Sequence, residues 1–382
     1  MTQTMDIISG LSLMVEKSLD LESLGAIAQE DVKQLYDTIH LVRIFHWLVA
    51  QGLSTSLAAT FLRHQLLPGI KISMMGSSAM ICNRCRGGLT GSRVAGQLGR
   101  VPVQATVYSL LPSFRKLAWS FEGVTLAVAS FVDNLYFVAP TAWKATRMAD
   151  LFAEGLSQNW DQDIKPTSRQ VLPVFGAEAT DVTSEAWETL SCMKVLGHAI
   201  DNRGSIDTDF RLTQTKMWRA FWGNAGRLTS KRIPRKLKLL LLQRTTLSVA
   251  DQHMVRWPFT AERAKAVDRM QRKMLLSCIN VERQDGEDTQ DLWLRRKRII
   301  RTLQEELGKW SDRWAKQVLK WLAHIKRDPN DSWPSQLLMI RDPESLQQRR
   351  WVWHRPRTRR FPGFTSARWC EGVATAELHL GT

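Results

Sequence analysis

One carboxylate stands inside an otherwise apolar run, Leu126-Ala-Val-Ala-Ser-Phe-Val-Asp133-Asn134-Leu-Tyr-Phe-Val-Ala139. Val, Phe and Tyr on both sides favour extended structure, and Asp-Asn tolerates a tight turn, so the run reads as a β-hairpin with Asp133 at its tip. A carboxylate beside so much apolar surface is costly unless a cation or a hydrogen-bond network compensates it. Asp and Asn are also ordinary turn residues, so the hairpin alone does not define a site. Other candidate groups are weaker. Cys82-Asn-Arg-Cys85 has the spacing of half a zinc site, but no second Cys/His pair follows at a usual distance, and His253 and His324 add no ligand set. Arg86-Gly87-Gly88-Leu89-Thr90-Gly91 lacks the lysine of a phosphate-binding P-loop, which argues against an NTPase. Leu294-Arg-Arg-Lys-Arg-Ile-Ile-Arg301 reads as a nuclear-localisation patch or as a solvated helix face touching backbone phosphate.

The elements that would position these residues change character along the chain. Residues 7–20 are amphipathic and predict a helix, and Leu24–Asp31 predicts a short strand ending on acid. Helices are expected over Thr38–Ala50, from Ser54 to Gln65, over Val103–Ala118 and over Ala142–Gln158, the last opened by Pro140-Thr141. Gly69–Met75 alternates like a strand. After Gly204 the pattern is helical. Met217–Gly223 and Lys236–Leu247 are separated by Ile233-Pro234. A single long helix is expected over Ile299–Ile325, with its apolar residues Leu303, Leu307, Trp310, Trp314, Val318, Trp321 and Ile325 three or four apart. The Pro-, Trp- and Arg-rich tail after Asp328 has no period and reads as irregular.

At 382 residues the chain has material for two or three domains. No apolar run is long enough to span a bilayer, and the N-terminus lacks the charge and apolar core of a secretory signal. Five cysteines, an odd and scattered set, do not form a disulfide framework. The expectation is an intracellular protein, nuclear or cytoplasmic, without a membrane partner. Charge is lopsided. Residues 1–200 hold 16 Lys/Arg and 17 Asp/Glu, a net of −1, whereas residues 201–382 hold 37 and 20, a net of +17. Eleven of the 16 tryptophans also lie in the second half. Basic side chains interleaved with aromatics suit a polyanion with stackable bases.

Three segments fall in an informative order: Asp31-Val-Lys-Gln-Leu-Tyr36, a strand-end Asp with an aromatic five residues on; the glycine loop Arg86–Gly91; and the hairpin Phe131-Val-Asp133-Asn134. In that order they resemble the palm of a reverse transcriptase of the non-LTR retrotransposon and group II intron type. Met193-Lys-Val-Leu196-Gly197-His looks like the family's primer-grip hairpin, and Lys216-Met-Trp-Arg-Ala-Phe-Trp resembles the start of its thumb. The resemblance covers roughly residues 20–330. It implies an α+β fold, with a palm of antiparallel sheet and flanking helices over residues 1–205. A helical, basic thumb-like region over 206–328 and an irregular tail over 329–382 would follow.

The same resemblance implies RNA-templated DNA synthesis by two-metal nucleotidyl transfer, with Asp31 and Asp133 holding Mg2+ or Mn2+. Tyr36 would pack under the sugar and exclude a 2′-hydroxyl, favouring deoxynucleotides. Gly87, Thr90 and Gly91 would line the nucleotide and template base, and Lys165 or Arg169 would protonate the pyrophosphate leaving group. Leu196 and Gly197 would form the primer grip. The expected partners are an RNA template, a DNA primer and dNTPs. The chain departs from the family pattern in several places. Asn134 stands where a second Asp is usual, Thr90 stands in place of glutamine, and Ala95-Gly96 replaces Ser-Pro. Only about 30 residues precede Asp31, so the fingers are expected to be largely missing. An inactive, retroelement-derived nucleic-acid-binding protein is the alternative expectation.

Overall fold

Alternating side chains place two opposite faces on each strand, and the strand that ends at Asp31 shows why both faces matter. In the computed structural model, which describes residues 4–66, 69–74, 76–83, 86–88, 93–175, 181–279, 281–327, 332–340 and 369–381, the chain is mixed α+β. By contacts it divides into two compact units, Leu21–Met193 and Met1–Asp20 with Lys194–Thr382. The first helix, α1 (Thr4–Asp20), therefore groups with the later residues rather than with the Leu21–Met193 unit.

The unit from Leu21 to Met193 begins with β1 (Ala26–Asp31), α2 (Leu35–Thr38), α3 (Leu41–Ala50) and α4 (Thr55–Leu66). A hairpin of β2 (Gly69–Met74) and β3 (Ser77–Asn83) follows, and then α5 (Arg93–Leu117). That helix starts ten residues before the expected Val103 and carries Pro102 and Pro112 within it. Next come β4 (Trp119–Phe121), β5 (Val124–Leu126), β6 (Val128–Phe131), β7 (Asn134–Ala139), α6 (Ala142–Trp160), β8 (Gln170–Pro173) and β9 (Glu188–Thr189). Five strands form one sheet in the order β6-β7-β1-β8-β9, antiparallel except for β8 with β9. Ala26, Ala28 and Val32 join Leu135, Phe137 and Ala139 in one apolar cluster with Ala145, Met148, Ala149 and Phe152 of α6. Each such side chain contributes about 1.5–3 kcal/mol through burial, except the smaller alanines. The Thr141 side chain caps α6 by accepting the Lys144 N–H at 3.2 Å, as the Pro140-Thr141 start predicts.

The other unit is almost wholly helical beyond the hairpin of β10 (Cys192–Val195) and β11 (His198–Asp201). It contains α7 (Asp207–Gly223), α8 (Ala225–Leu228), α9 (Arg235–Leu242), α10 (Ser248–Arg256), α11 (Ala261–Cys278), α12 (Thr289–Leu307) and α13 (Trp310–Arg327). The tail, expected to be irregular, includes two helices among its described residues, α14 (Trp333–Met339) and α15 (Trp369–Leu380). Gly10 lets α1 approach α14 closely, since a Cβ there would stand 2.8 Å from Trp333 Cβ.

Two expectations are corrected here. The single helix over Ile299–Ile325 is broken into α12 and α13 at Gly308, whose φ of 77° is left-handed. The break is satisfied from α11. Gln271 donates to the Gly308 carbonyl at 2.9 Å, and Asp268 accepts both the N–H and the hydroxyl of Ser311, at 3.0 and 2.8 Å. The apolar stripe survives because both helices lean on the same core. The tryptophans are also mostly core and not a stacking surface: Trp257, Trp310, Trp314, Trp321 and Trp369 are buried, whereas Trp222 and Trp293 are 58% and 57% exposed. Trp314 packs edge-on to Trp257 at 5.9 Å between ring centres and against Phe259 at 4.8 Å. Trp314→Ala is expected to cost about 3–5 kcal/mol. Urea unfolding should show a lower midpoint with an unchanged slope.

Candidate active site

Backbone pairing decides which acids meet. β1 and β7 run antiparallel with Asp31 opposite Asn134, so the last residue of one strand faces the first residue of the next. Phe131 pairs with Asn134, which leaves Val132 and Asp133 as a two-residue turn. The expected Asp-Asn turn is thus shifted back by one position, and the positive φ falls on Val132 at 59°. That conformation is strained for a β-branched residue, by about 1–3 kcal/mol, and persists only where its surroundings over-determine it. The surroundings include the Asp133 carbonyl, which accepts the Val32 N–H at 2.9 Å and ties the turn to the end of β1.

Asp31 and Asp133 are brought together as the sequence predicts. Burial, followed by repulsion from Asp133, pushes the Asp31 carboxyl up to about 6 against the opposing pull of Lys165. Asp31 Oδ1 is buried and has no hydrogen-bond partner. The backbone around it is firmly held, with the Asp31 N–H donating to Ser168 Oγ and the Asp31 carbonyl accepting the Lys165 N–H, both at 2.9 Å. Lys165 itself is exposed on the same loop. Asn134 is not a bystander, because its Nδ2 donates to Asp133 Oδ1 at 3.0 Å.

Arg169 is not brought to this pair. Its guanidinium lies 3.8 Å from Glu30 and 3.6 Å from Asp150, and 5.5 Å above the Trp187 ring. Glu30 precedes Asp31 in the strand and points to the helix-covered face, where burial pushes its carboxyl well above the ordinary range despite Arg169. Alternation along β1 therefore separates Arg169 from Asp31, which corrects the expected leaving-group role and leaves Lys165 as the nearby cation.

Tyr36 and Gly87 do meet. The Gly88 N–H donates to the Tyr36 carbonyl at 2.7 Å, and the Gly87 N–H donates to the Ile39 carbonyl at 3.0 Å. Gly87 has a φ of +86°, and a Cβ there would lie 2.9 Å from the Asp37 carbonyl, so only glycine fits. The Tyr36 ring lies against Gly99 of α5. Thr90 and Gly91, like Cys85, lie outside the described residues. Leu196 and Gly197, with φ of 46° and 93°, form a two-residue turn between β10 and β11. Lys216 donates to the Gly197 carbonyl at 3.1 Å.

A second polar cluster carries no sequence signal, since its members are far apart in the chain. His198, Asp209 and His253 are all buried, with ligand atoms within 4.8 Å of one another. Asp209 Oδ2 accepts from Trp257 Nε1 at 2.7 Å and His253 Nδ1 at 3.1 Å and is ion-paired with Arg256 at 3.0 Å, while its Oδ1 accepts the Ala199 N–H at 2.8 Å. Burial opposes the Asp209 charge, but the flanking imidazoles and the guanidinium outweigh it and hold the carboxyl well below its usual range. Burial pushes the His198 imidazole down to about 4. Arg256 already supplies the cation this carboxylate needs, and it also donates to the Ala199 carbonyl at 2.8 Å and to Ser12 at 3.0 Å. The cluster braces β11, α7, α10 and α1 within their unit.

No family model matches the sequence, and no curated protein matches it. Among solved structures, a telomerase from Candida albicans, determined with the TWJ fragment of telomeric RNA, superposes with a TM-score of 0.38 at 10% identity. The match covers 87% of this chain and 53% of that one, so the chain spans about half its length. No described helix is long and apolar enough to cross a membrane.

The raised Asp31 carboxyl gives a pH signature. Its folded value near 6 lies above the unfolded 3.8, so the folded chain binds more protons between those limits. Stability is therefore lost as pH rises through that window, and the loss is complete above it. Asp31→Asn is expected to stabilise the protein at about pH 8 by ~1 kcal/mol, most of the raw shift being screened by solvent at this half-exposed group. The difference should vanish below about pH 4. Thermal melts across that range check it, and a variant that melts below the parent at high pH would show that the two acids do not repel.

Proposed function

We propose that this chain carries a reverse-transcriptase-like nucleotidyl-transfer site in which Asp31 and Asp133 hold Mg2+ or Mn2+. The observation that carries the reading is the pairing of β1 with β7, which sets one carboxylate at a strand end beside another at a hairpin tip. Hard divalent cations want carboxylate oxygens converging from separate elements, and the buried, unpartnered Asp31 Oδ1 fits that need. When bound, such ions activate a primer hydroxyl and neutralise charge on a triphosphate. The remaining roles belong to this chain's own side chains. Lys165, close enough to lower the Asp31 carboxyl, would protonate a pyrophosphate leaving group. Tyr36, held by the Gly87–Gly88 turn, would stand under the sugar and select deoxynucleotides. Thr90 and Gly91 would complete the nucleotide side, and Leu196 and Gly197 a primer grip. The partners on this reading are an RNA template, a DNA primer and dNTPs, as expected for elements of the retrotransposon type.

One observation favours a second reading, an inactive protein that only binds nucleic acid. The Asn134 amide occupies Asp133 Oδ1 and brings no charge of its own, so the pair offers a cation less than a run of two aspartates would. Primer extension on an RNA template with Mg2+ or Mn2+ separates the two. Activity should appear, and Asp31→Ala or Asp133→Ala should each reduce it by at least about 100-fold, the loss of several kcal/mol of charge stabilisation. Asn134→Asp should raise it. Absence of dNTP incorporation, with salt-sensitive RNA binding retained, would leave the second reading standing.

A further inference from the structure

The helical unit holds a cavity of about 410 Å3 whose lining includes Lys231, Arg232, Arg235 and Lys238, with no carboxylate among the described lining residues. Its cations are not equally engaged. Lys231 pairs with Glu282 and Arg235 pairs with Glu306 at 3.0 Å, both at exposed positions. Arg232 has no side-chain partner among the described residues. Lys238 is buried, and its ammonium donates to the Cys278 carbonyl at 3.1 Å, leaving two further N–H donors. Cys278 in the lining is pushed up to about 11 by burial, so its thiol contributes no competing negative charge.

The backbone adds to this field. α9 begins after Pro234, a cavity-lining residue, and its first turn has no side-chain cap. The partial positive charge of a helix start favours an anion there. Ile233, Pro234, Leu239 and Ile279 line the rest of the space with apolar surface. A volume of this size exceeds what a few waters need and suits a phosphate together with the sugar that bears it.

We infer that this cavity is a binding site for a phosphate ester, with Arg232 and Lys238 as its charged donors and the α9 N-terminus as its dipole. It is independent of the two-carboxylate site, since it uses none of the same residues. Two sources share the chemistry, a phosphodiester in a nucleic-acid strand and a free nucleotide. The test uses the full chain and measures anisotropy of a labelled single-stranded RNA across salt concentrations, beside calorimetry with AMP. The double variant Arg232→Ala with Lys238→Met should lose about tenfold in RNA affinity, and its log–log salt slope should fall by about two. That result without AMP binding assigns a strand phosphate. AMP binding that the double variant abolishes, with RNA affinity unchanged, assigns a free nucleotide. Unchanged affinity and slope for RNA, with no loss of AMP binding, would overturn the site. Should removal of buried Lys238 prevent folding, exposed Arg232→Glu alone gives the same readout. The readout is binding alone, so absence of primer extension leaves this inference unaffected.

Discussion

The antiparallel pairing of β1 with β7 is the constraint on which the rest of the molecule's candidate chemistry depends. Once Asp31 stands opposite Asn134, the acid at the strand end and the acid in the turn cannot avoid each other. Two carboxyls in that relation repel, and the Asp31 carboxyl rises to about 6 as a result of burial and of that neighbour. The cost is local, of order 1 kcal/mol after solvent screening. It is opposed by a ladder of backbone bonds and by a core in which Phe137, Met148 and Phe152 are wholly buried. A single Leu- or Phe-sized side chain buried there offsets the repulsion. The sheet can therefore hold the acids together whether or not a cation is present.

The same alternation that unites Asp31 and Asp133 divides the neighbouring charges by face. Glu30 is turned into the core beside Arg169 and Asp150, so the cation next to Ser168, whose hydroxyl accepts the Asp31 N–H, is engaged elsewhere. A period of two thus does two things in one strand: it presents an acid on one side and builds a buried ion network on the other. That cluster leaves both buried Glu30 oxygens without a hydrogen-bond partner and lies apart from the open pair.

The hairpin, the strand-end acid and the glycine turn were legible in the residues, because each rests on local rules. A continuous apolar run marks β7, and Gly87 is demanded by a positive φ and a carbonyl 2.9 Å from where its Cβ would be. What was not legible depends on packing between distant segments. The positive φ sits on Val132 although its neighbours Asp133 and Asn134 tolerate turns better, because pairing of Phe131 with Asn134 fixes the loop at two residues. Gly308 breaks a helix whose apolar stripe is continuous, because Gln271 and Asp268 of α11 satisfy the exposed ends. Tryptophans that read as a stacking surface are core, since Trp257, Trp310 and Trp314 fill space between helices that sequence spacing does not bring together. The His198–Asp209–His253 cluster had no pattern at all, its residues meeting only through the fold.

Asn134 sharpens what the paired acids mean. An aspartate there would add a third charge to a pair that already repels, and would leave Asp133 Oδ1 without its donor. The amide does the reverse: it adds no charge and holds one oxygen of the Asp133 carboxylate by a hydrogen bond. The turn is thereby better ordered in the absence of a cation and less attractive to one. Asp31 Oδ1 receives no such donor and stays buried and unpartnered. The two acids are thus unequal, one satisfied by a neighbouring amide and one still short of a partner.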